Sequence, residues 1–410
     1  MLESVEHSLQ LKDGRILAYH TFPKAEDDSD ADNNGTDNNN DNNNNDNNTI
    51  TKEDERHPVL YFHGYPGCGL EGGLVSAHYV ARAGGRLYAI DRAGMGKTSS
   101  PYKYVQHGDN ENGNETNADG KAKENVSDNN NLDTFVENIW ELVEDRGWEE
   151  FSVIGVSGGG PHTLALLASY LERRQLQRER QSDIDRIVPS CTARLRNVCM
   201  VGAVCMSAGS NGMKNELVHL ASLVETASTT KSRWSRFKLG AVAASTGAMF
   251  NYLVPALPFS LMMALNNNAN KDLPAADREW LSDENNIRLF LSSMGSLAAQ
   301  GGNPGVYDDA MIALRAGYFH EKVLRKHYGH RQNDNDSNSN DNVNDNDDLP
   351  TVGIFQGGLD VNVPPSHARF LHEYVFQKRS EFFGYDDLGH ISTIAGKSED
   401  YAVFATARKK

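Results

Sequence analysis

The sequence predicts a doubly wound α/β fold: a mostly parallel sheet with helices on both faces and a helical cap inserted after the sixth strand. Three observations predict it. Short apolar runs alternate with segments of helical period, the pattern of a parallel sheet buried on both sides. Turn and breaker residues end the runs. A long stretch of mainly helical pattern, about 207–331, then interrupts the alternation before it resumes.

The elements follow in order. Leu9–Leu11 and Ile16–Tyr19 flank Asp13-Gly14, a hairpin signal. Val59–Phe62 is a buried strand ending in His63-Gly64, and Leu74–Arg82 reads as a helix. Leu87–Ile90 is a second buried strand, ending at Asp91. Asp133 is placed to N-cap a helix whose apolar face is Phe135, Val136, Ile139, Trp140, Leu142 and Val143. Phe151–Val156 is a strand and Pro161–Arg173 a helix. Val198–Cys205, Val352–Phe355 and Glu381–Tyr385 complete the sheet.

Composition adjusts the boundaries. The chain has 410 residues, 38% of them hydrophobic, and a formal charge of −16. Both figures are set by three Asn/Asp runs, Asp27–Asn48, Asp109–Asn131 and Asn333–Asp348, which carry 7, 6 and 6 acids against two lysines. The rest of the chain is close to neutral, so acidity says nothing about a substrate, and the basic face that nucleic acid requires is missing. Such runs bury too little apolar surface to offset the entropy of ordering, and are expected to be disordered loops. The core is then expected from 1–206 and 349–410, with insertions at 27–48 and 109–131, a cap over 207–332 and a third insertion at 333–348.

Leu239–Leu265 has no charged residue and is long enough to span a bilayer. Asn251, Pro255 and Pro258 break it, so it is read as part of the cap, not as a membrane span. Phe250, Leu253, Leu257, Leu261 and Met262 are expected to form an apolar wall over the site or to pack among cap helices. The four cysteines fit no zinc spacing, and Met1–Gln10 lacks the apolar stretch of a signal peptide. A cytoplasmic location is the expectation.

Gly155-Val156-Ser157-Gly158-Gly159 matches G-x-S-x-G. The strand before it and the helix after it give the match its weight, because a nucleophile elbow is a sharp strand-to-helix turn. A serine hydroxyl attacks only when a base takes its proton. Of 14 histidines, His390 in Leu388-Gly389-His390 follows the last strand, where chain order places the base. Asp360, in Gly357-Gly358-Leu359-Asp360-Val361-Asn362-Val363-Pro364, follows a strand and can hold the imidazole in the right tautomer. Asp386 and Asp387 are the alternatives, set against Asp360 by their closeness to His390 along the chain. Pro66 has no N–H. The Tyr65 and Gly158 N–H groups are therefore the candidates for an oxyanion hole.

Two other motifs suggest different chemistry. Gly96-Lys97-Thr98 is similar to the end of a P-loop, but Asp91 stands where the first glycine belongs, so Asp91 and Arg92 are read as braces for loops beside the site. His320, His327 and His330 lack acidic or cysteine partners at ligand spacing and are read as surface histidines, so no metal and no cofactor is expected.

Taken in order, His63–Gly67, Asp91–Gly96, Gly155–Gly160, Gly357–Pro364 and Gly389-His390 resemble the motifs of the α/β-hydrolase fold-1 family across nearly the whole chain outside the Asn/Asp runs. The resemblance implies Ser157 as nucleophile, Asp360 as acid, His390 as base, and Tyr65 and Gly158 at the oxyanion. It implies a serine esterase-like hydrolase of a carboxylic ester or related acyl compound, a small-molecule substrate. A ligand receptor or an acyltransferase on the same fold is the alternative. Ser157 argues against the family's dehalogenases and epoxide hydrolases, whose nucleophile is Asp. Tyr65 and Gly158 depart from the pattern of proline iminopeptidases.

Overall fold

The computed structural model describes residues 3–22, 56–65, 67–99, 130–181, 193–209, 213, 271–287, 318–329 and 349–408. Most of the expected cap, including Leu239–Leu265 and its proposed apolar wall, lies outside the described residues, as do Cys191, His330 and nearly all of the Asn/Asp runs.

The described strands are β1 (Val5–Gln10), β2 (Ile16–Thr21), β3 (His57–Phe62), β4 (Gly85–Ile90), β5 (Glu150–Val156), β6 (Arg194–Val201), β7 (Thr351–Gly357) and β8 (Glu381–Tyr385). They form one eight-stranded sheet in the order β1-β2-β4-β3-β5-β6-β7-β8. β2 is antiparallel to both β1 and β4, and every other pairing is parallel. The hairpin expected at Asp13-Gly14 joins β1 to β2, closed by the Leu11 N–H on the Arg15 carbonyl at 2.8 Å.

Side chains alternate across this sheet, as the period of two requires. Leu60, Phe62, Tyr88, Ile90, Val153, Val198 and Met200 enter one buried cluster. Val59, Tyr61, Leu87, Ala89, Ile154, Cys199 and Val201 enter the other. Helices α3 (Asn130–Asp145) and α4 (Gly160–Gln181) cover the first face through Phe135, Ile139, Trp140, Leu164 and Leu167. On the opposite face lie α1 (Leu70–Val75), α2 (Ala77–Arg82) and α9 (Ser398–Thr406), with Ala77, Val80, Tyr401 and Ala405 buried. Both faces are apolar, which is why the strands read as continuous hydrophobic runs.

The remaining helices stand between or after the last strands: α5 (Ala275–Trp280), α6 (Tyr318–Gly329), α7 (Pro365–Phe370), which continues as a π turn over Leu371–Val375, and α8 (His390–Gly396). α6 falls inside the range assigned to the cap from sequence. Its Leu324 and Tyr328 nevertheless belong to the core cluster shared with α3 and α4.

Several boundaries differ from expectation. The helix read as Leu74–Arg82 begins at Leu70 and breaks at Ser76, whose hydroxyl bonds the Tyr401 hydroxyl at 3.0 Å. Gly72-Gly73, a pair of poor helix formers, lies inside α1. Asp133 is not an N-cap, because α3 starts at Asn130 and places Asp133 in its first turn. α4 runs on to Gln181, through polar residues that carry no apolar period. β6 begins at Arg194 and ends at Val201, shifted from Val198–Cys205, because its first residues alternate Arg194 and Arg196 with buried Leu195. Among the described residues, no helix is long and apolar enough to cross a membrane.

Candidate active site

The sheet reverses direction of growth at β3, with β4 on one side and β5 on the other. Open α/β sheets carry their crevice at such a switch point, outside the carboxyl ends of the strands. Phe62 at the end of β3 is in register with Gly155 near the end of β5. The loop His63–Tyr65 is thereby set against Ser157 and Gly158.

Ser157 follows Val156 directly and has φ 49, the left-handed region that costs energy for a residue with a Cβ. The turn is tight because α4 starts only three residues later. A Cβ on Gly159 would sit 2.3 Å from the Phe62 carbonyl oxygen, so the elbow packs backbone against backbone. Residual exposure of Ser157 is 9%.

Chain order and sheet order bring the other two residues to the same edge. β7 ends at Gly357 beside Tyr385 of β8, the loop after β7 carries Asp360, and His390 opens α8 after β8. His390 Nε2 is 3.0 Å from Ser157 Oγ, and His390 Nδ1 is 2.7 Å from Asp360 Oδ2. Asp360 also accepts from Gln356 Nε2 at 3.2 Å through Oδ2, and from the N–H groups of Asn362 at 2.9 Å and Val363 at 2.8 Å through Oδ1. The carboxylate is thus fixed by four donors. Asp386 and Asp387, the alternative acids, are exposed and make no bond to His390 among the described contacts. Burial of His390 opposes its charge, yet the neighbouring Asp360 charge and hydrogen bond, with Asp277 and Glu71 behind them, raise its pKa above the ordinary imidazole value.

Tyr65 and Gly158 face each other: a Cβ on Gly158 would lie 3.1 Å from the Tyr65 nitrogen. The turn that carries Tyr65 is gripped from two sides. Arg92, buried at the end of β4, donates to the His63 carbonyl at 2.5 Å and to the Gly64 carbonyl at 3.0 Å. Glu71 of α1 accepts from the Gly64 N–H at 2.9 Å and from the Tyr61 hydroxyl at 3.0 Å, both through Oε1. Burial pushes the Glu71 carboxyl up, against these donors and Arg92. Asp91 accepts from the Gly69 N–H at 2.7 Å, and Thr98 donates to the Asp91 carbonyl at 2.6 Å. The Asp91–Thr98 segment therefore braces these loops, in keeping with its missing P-loop glycine.

Sequence reasoning missed Glu71, Gln356 and Asp277. Glu71 and Gln356 lie within a few residues of the motifs but match no catalytic pattern. Asp277 comes from the segment between β6 and β7 and had no local signal at all. His320, expected on the surface, is 8% exposed, with Nε2 3.8 Å from Asp133. α6, which carries it, packs against α4, and this long-range packing has no local signal in the sequence. No group of three or more His, Cys, Asp or Glu among the described residues could hold a metal ion.

Sheet order, elbow and the ends of β7 and β8 together define the α/β-hydrolase fold. No family model and no curated protein sequence matches the chain. Among solved structures, a bromoperoxidase from Bacillus anthracis is similar at 17% identity and TM-score 0.47, covering 98% of this chain and 99% of that one. An esterase from a Rhodococcus species gives 13% identity and TM-score 0.47, with 98% of each chain covered. A thioesterase domain from the curacin biosynthetic pathway gives 12% and 0.46, covering 99% of this chain and 100% of that one. Identities this low leave the reaction open, since one fold hosts many activities.

Proposed function

We propose that the protein is a serine hydrolase that cleaves a carboxylic ester or related acyl compound through an acyl-enzyme on Ser157. The observation that carries this reading is the unbroken relay from Ser157 Oγ through His390 to Asp360, at 3.0 and 2.7 Å, on a serine held at positive φ.

Each residue has a role. His390 Nε2 takes the hydroxyl proton as Ser157 Oγ attacks the acyl carbon. Asp360 keeps Nδ1 protonated and stabilises the imidazolium that forms. The N–H groups of Tyr65 and Gly158 stabilise the oxyanion, on a turn that Arg92 and Glu71 prevent from rotating. The imidazolium gives its proton to the leaving alkoxide, and the alcohol departs. Water then repeats the sequence: His390 takes its proton, hydroxide adds to the acyl carbon, and Ser157 Oγ leaves with the proton returned.

Rapid-mixing kinetics with p-nitrophenyl acetate test the proposal. An acyl-enzyme gives turnover, with a burst of p-nitrophenol near one equivalent per chain if deacylation is slower, and acetyl trapped on Ser157 after acid quench. Absence of both turnover and trapped acyl group across p-nitrophenyl esters from acetate to octanoate would refute it.

A further inference from the structure

His390 is held by a third group besides Ser157 and Asp360. Asp277, on α5, has no exposed surface and lies 113 residues before the histidine. Its Oδ2 accepts from the His390 backbone N–H at 3.0 Å. Its Oδ1 accepts from the Ser392 N–H at 2.8 Å and the Ser392 hydroxyl at 2.6 Å. The Gly389 N–H in turn donates to Ser392 Oγ at 2.8 Å. The carboxylate thus closes the first turn of α8 from outside that helix.

The approach is close enough to constrain the sequence around it. A Cβ on Gly389 would lie 2.4 Å from Asp277 Oδ2, so only glycine lets the carboxylate reach the backbone beside the base. A buried carboxylate is costly unless donors satisfy it. Here three donors do so, and every one belongs to the segment that carries His390. α5 is itself anchored: Arg278 Nη1 donates to the Lys271 carbonyl at 3.1 Å and the Leu273 carbonyl at 2.8 Å, and Leu273, Leu281 and Ile287 are buried.

We infer that Asp277 is a positioning residue for His390, through which the segment inserted between β6 and β7 holds the base in line with Ser157. This rests on the reading of His390 as the base. It assigns the inserted segment a part in assembling the reaction centre. The geometry explains why a carboxylate is needed. Both oxygens face donors, so an amide in their place turns one N–H toward another N–H. The acids facing His390 are Asp360 from the loop after β7, Asp277 from α5 and Glu71 from α1, and all three favour its charged form.

Asp277→Asn tests the inference at two levels. In wild type, the His390 Nδ1 proton shared with Asp360 is expected as a sharp far-downfield NMR resonance, whether or not an ester is turned over. In Asp277→Asn that resonance broadens or disappears, while far-UV circular dichroism is kept. With ester substrate, kcat falls on the order of 100-fold, the loss that a misplacement of about 1 Å can produce, with KM within a few-fold. The acid limb of the pH profile moves to lower pH because one negative charge is gone. A purely structural cap lowers the unfolding temperature but leaves the resonance, kcat and acid limb of the folded protein at wild-type values, and that result overturns the inference. Should Asp277→Asn fail to fold, Ser392→Ala removes one donor and keeps the carboxylate. It is expected to broaden the resonance and lower kcat several-fold, and an unchanged resonance there also overturns the inference. A wild type without turnover would count against the hydrolase reading alone, because the resonance still reports on Asp277.

Discussion

Nδ1 of His390 lies 2.7 Å from Oδ2 of Asp360, while Asp386 and Asp387, much nearer to His390 in the chain, are exposed to solvent. The proximity of Asp386 and Asp387 is what disqualifies them: they fill the turn between β8 and α8 and cannot fold back under the imidazole. Asp360→Asn keeps the shape but offers an N–H to Nδ1, which favours the wrong tautomer. The expected loss in kcat is on the order of 10³–10⁴-fold. Asp386→Asn and Asp387→Asn are expected to stay within about twofold. Steady-state kinetics of the three variants check the ranking.

His390 accepts a proton only when neutral. Its pKa is raised, so the acid limb of kcat/KM is expected to have its midpoint above about 6.5, the ordinary histidine value. Activity falls tenfold per pH unit below that midpoint. A pH–rate profile from 5 to 9 measures it, and a midpoint at or below 6.5 would show that burial outweighs the carboxylates.

Stability is expected to depend on pH in the same range but for other residues. Burial and the nearby Arg196 push His57 down to about 4. Burial and Arg92 hold His63 and His162 well below the usual value, and burial lowers His320 and His367. From about pH 6.5 down to these folded-state values, the unfolded chain binds more protons than the folded one, so stability falls as pH falls. His390 works the other way, its contribution being full below about 6.5 and lost as pH rises through its raised value, but burial lowers His7 as well, so it is one group against six among the described residues. The urea midpoint is expected to be lower at pH 4.5 than at pH 7. His57→Gln, which keeps a polar group beside Ser152, is expected to flatten that slope.

The elbow allows no side chain at Gly159, because the obstacle is the Phe62 carbonyl, which is backbone and cannot turn aside. Gly159→Ala is expected to cost on the order of 1–3 kcal/mol or more, the usual range for overpacking. Gly396, at the end of α8, has open space where a Cβ would stand, with nothing within 4 Å. Gly396→Ala is expected to be neutral or to stabilise by up to about 1 kcal/mol. Thermal unfolding of both variants checks the contrast.

What the sequence made legible follows from what each feature depends on. The strands were readable because both faces of the sheet are buried, and the elbow because strand, serine and helix are contiguous. Ser157, His390 and Asp360 could be proposed from motif order, and the structure brings Ser157 and Asp360 each within hydrogen-bonding distance of His390. Helix ends escape a sequence reading wherever tertiary contacts decide them, as at Ser76 with Tyr401. Glu71 and Asp277 were invisible because each acts on a backbone N–H outside its own helix, Asp277 across 113 residues, and no local pattern records such a contact.

Labelling with a fluorophosphonate, followed by mapping of the modified peptide, reads directly whether Ser157 is an activated nucleophile. The reagent phosphonylates a serine only where a base removes its proton and an oxyanion site receives the negative charge. One label per chain is expected on Ser157, none in Ser157→Ala at an unchanged unfolding temperature, and strongly slowed labelling in Asp360→Asn. A label on a different serine, or undiminished labelling of Ser157→Ala, would contradict it.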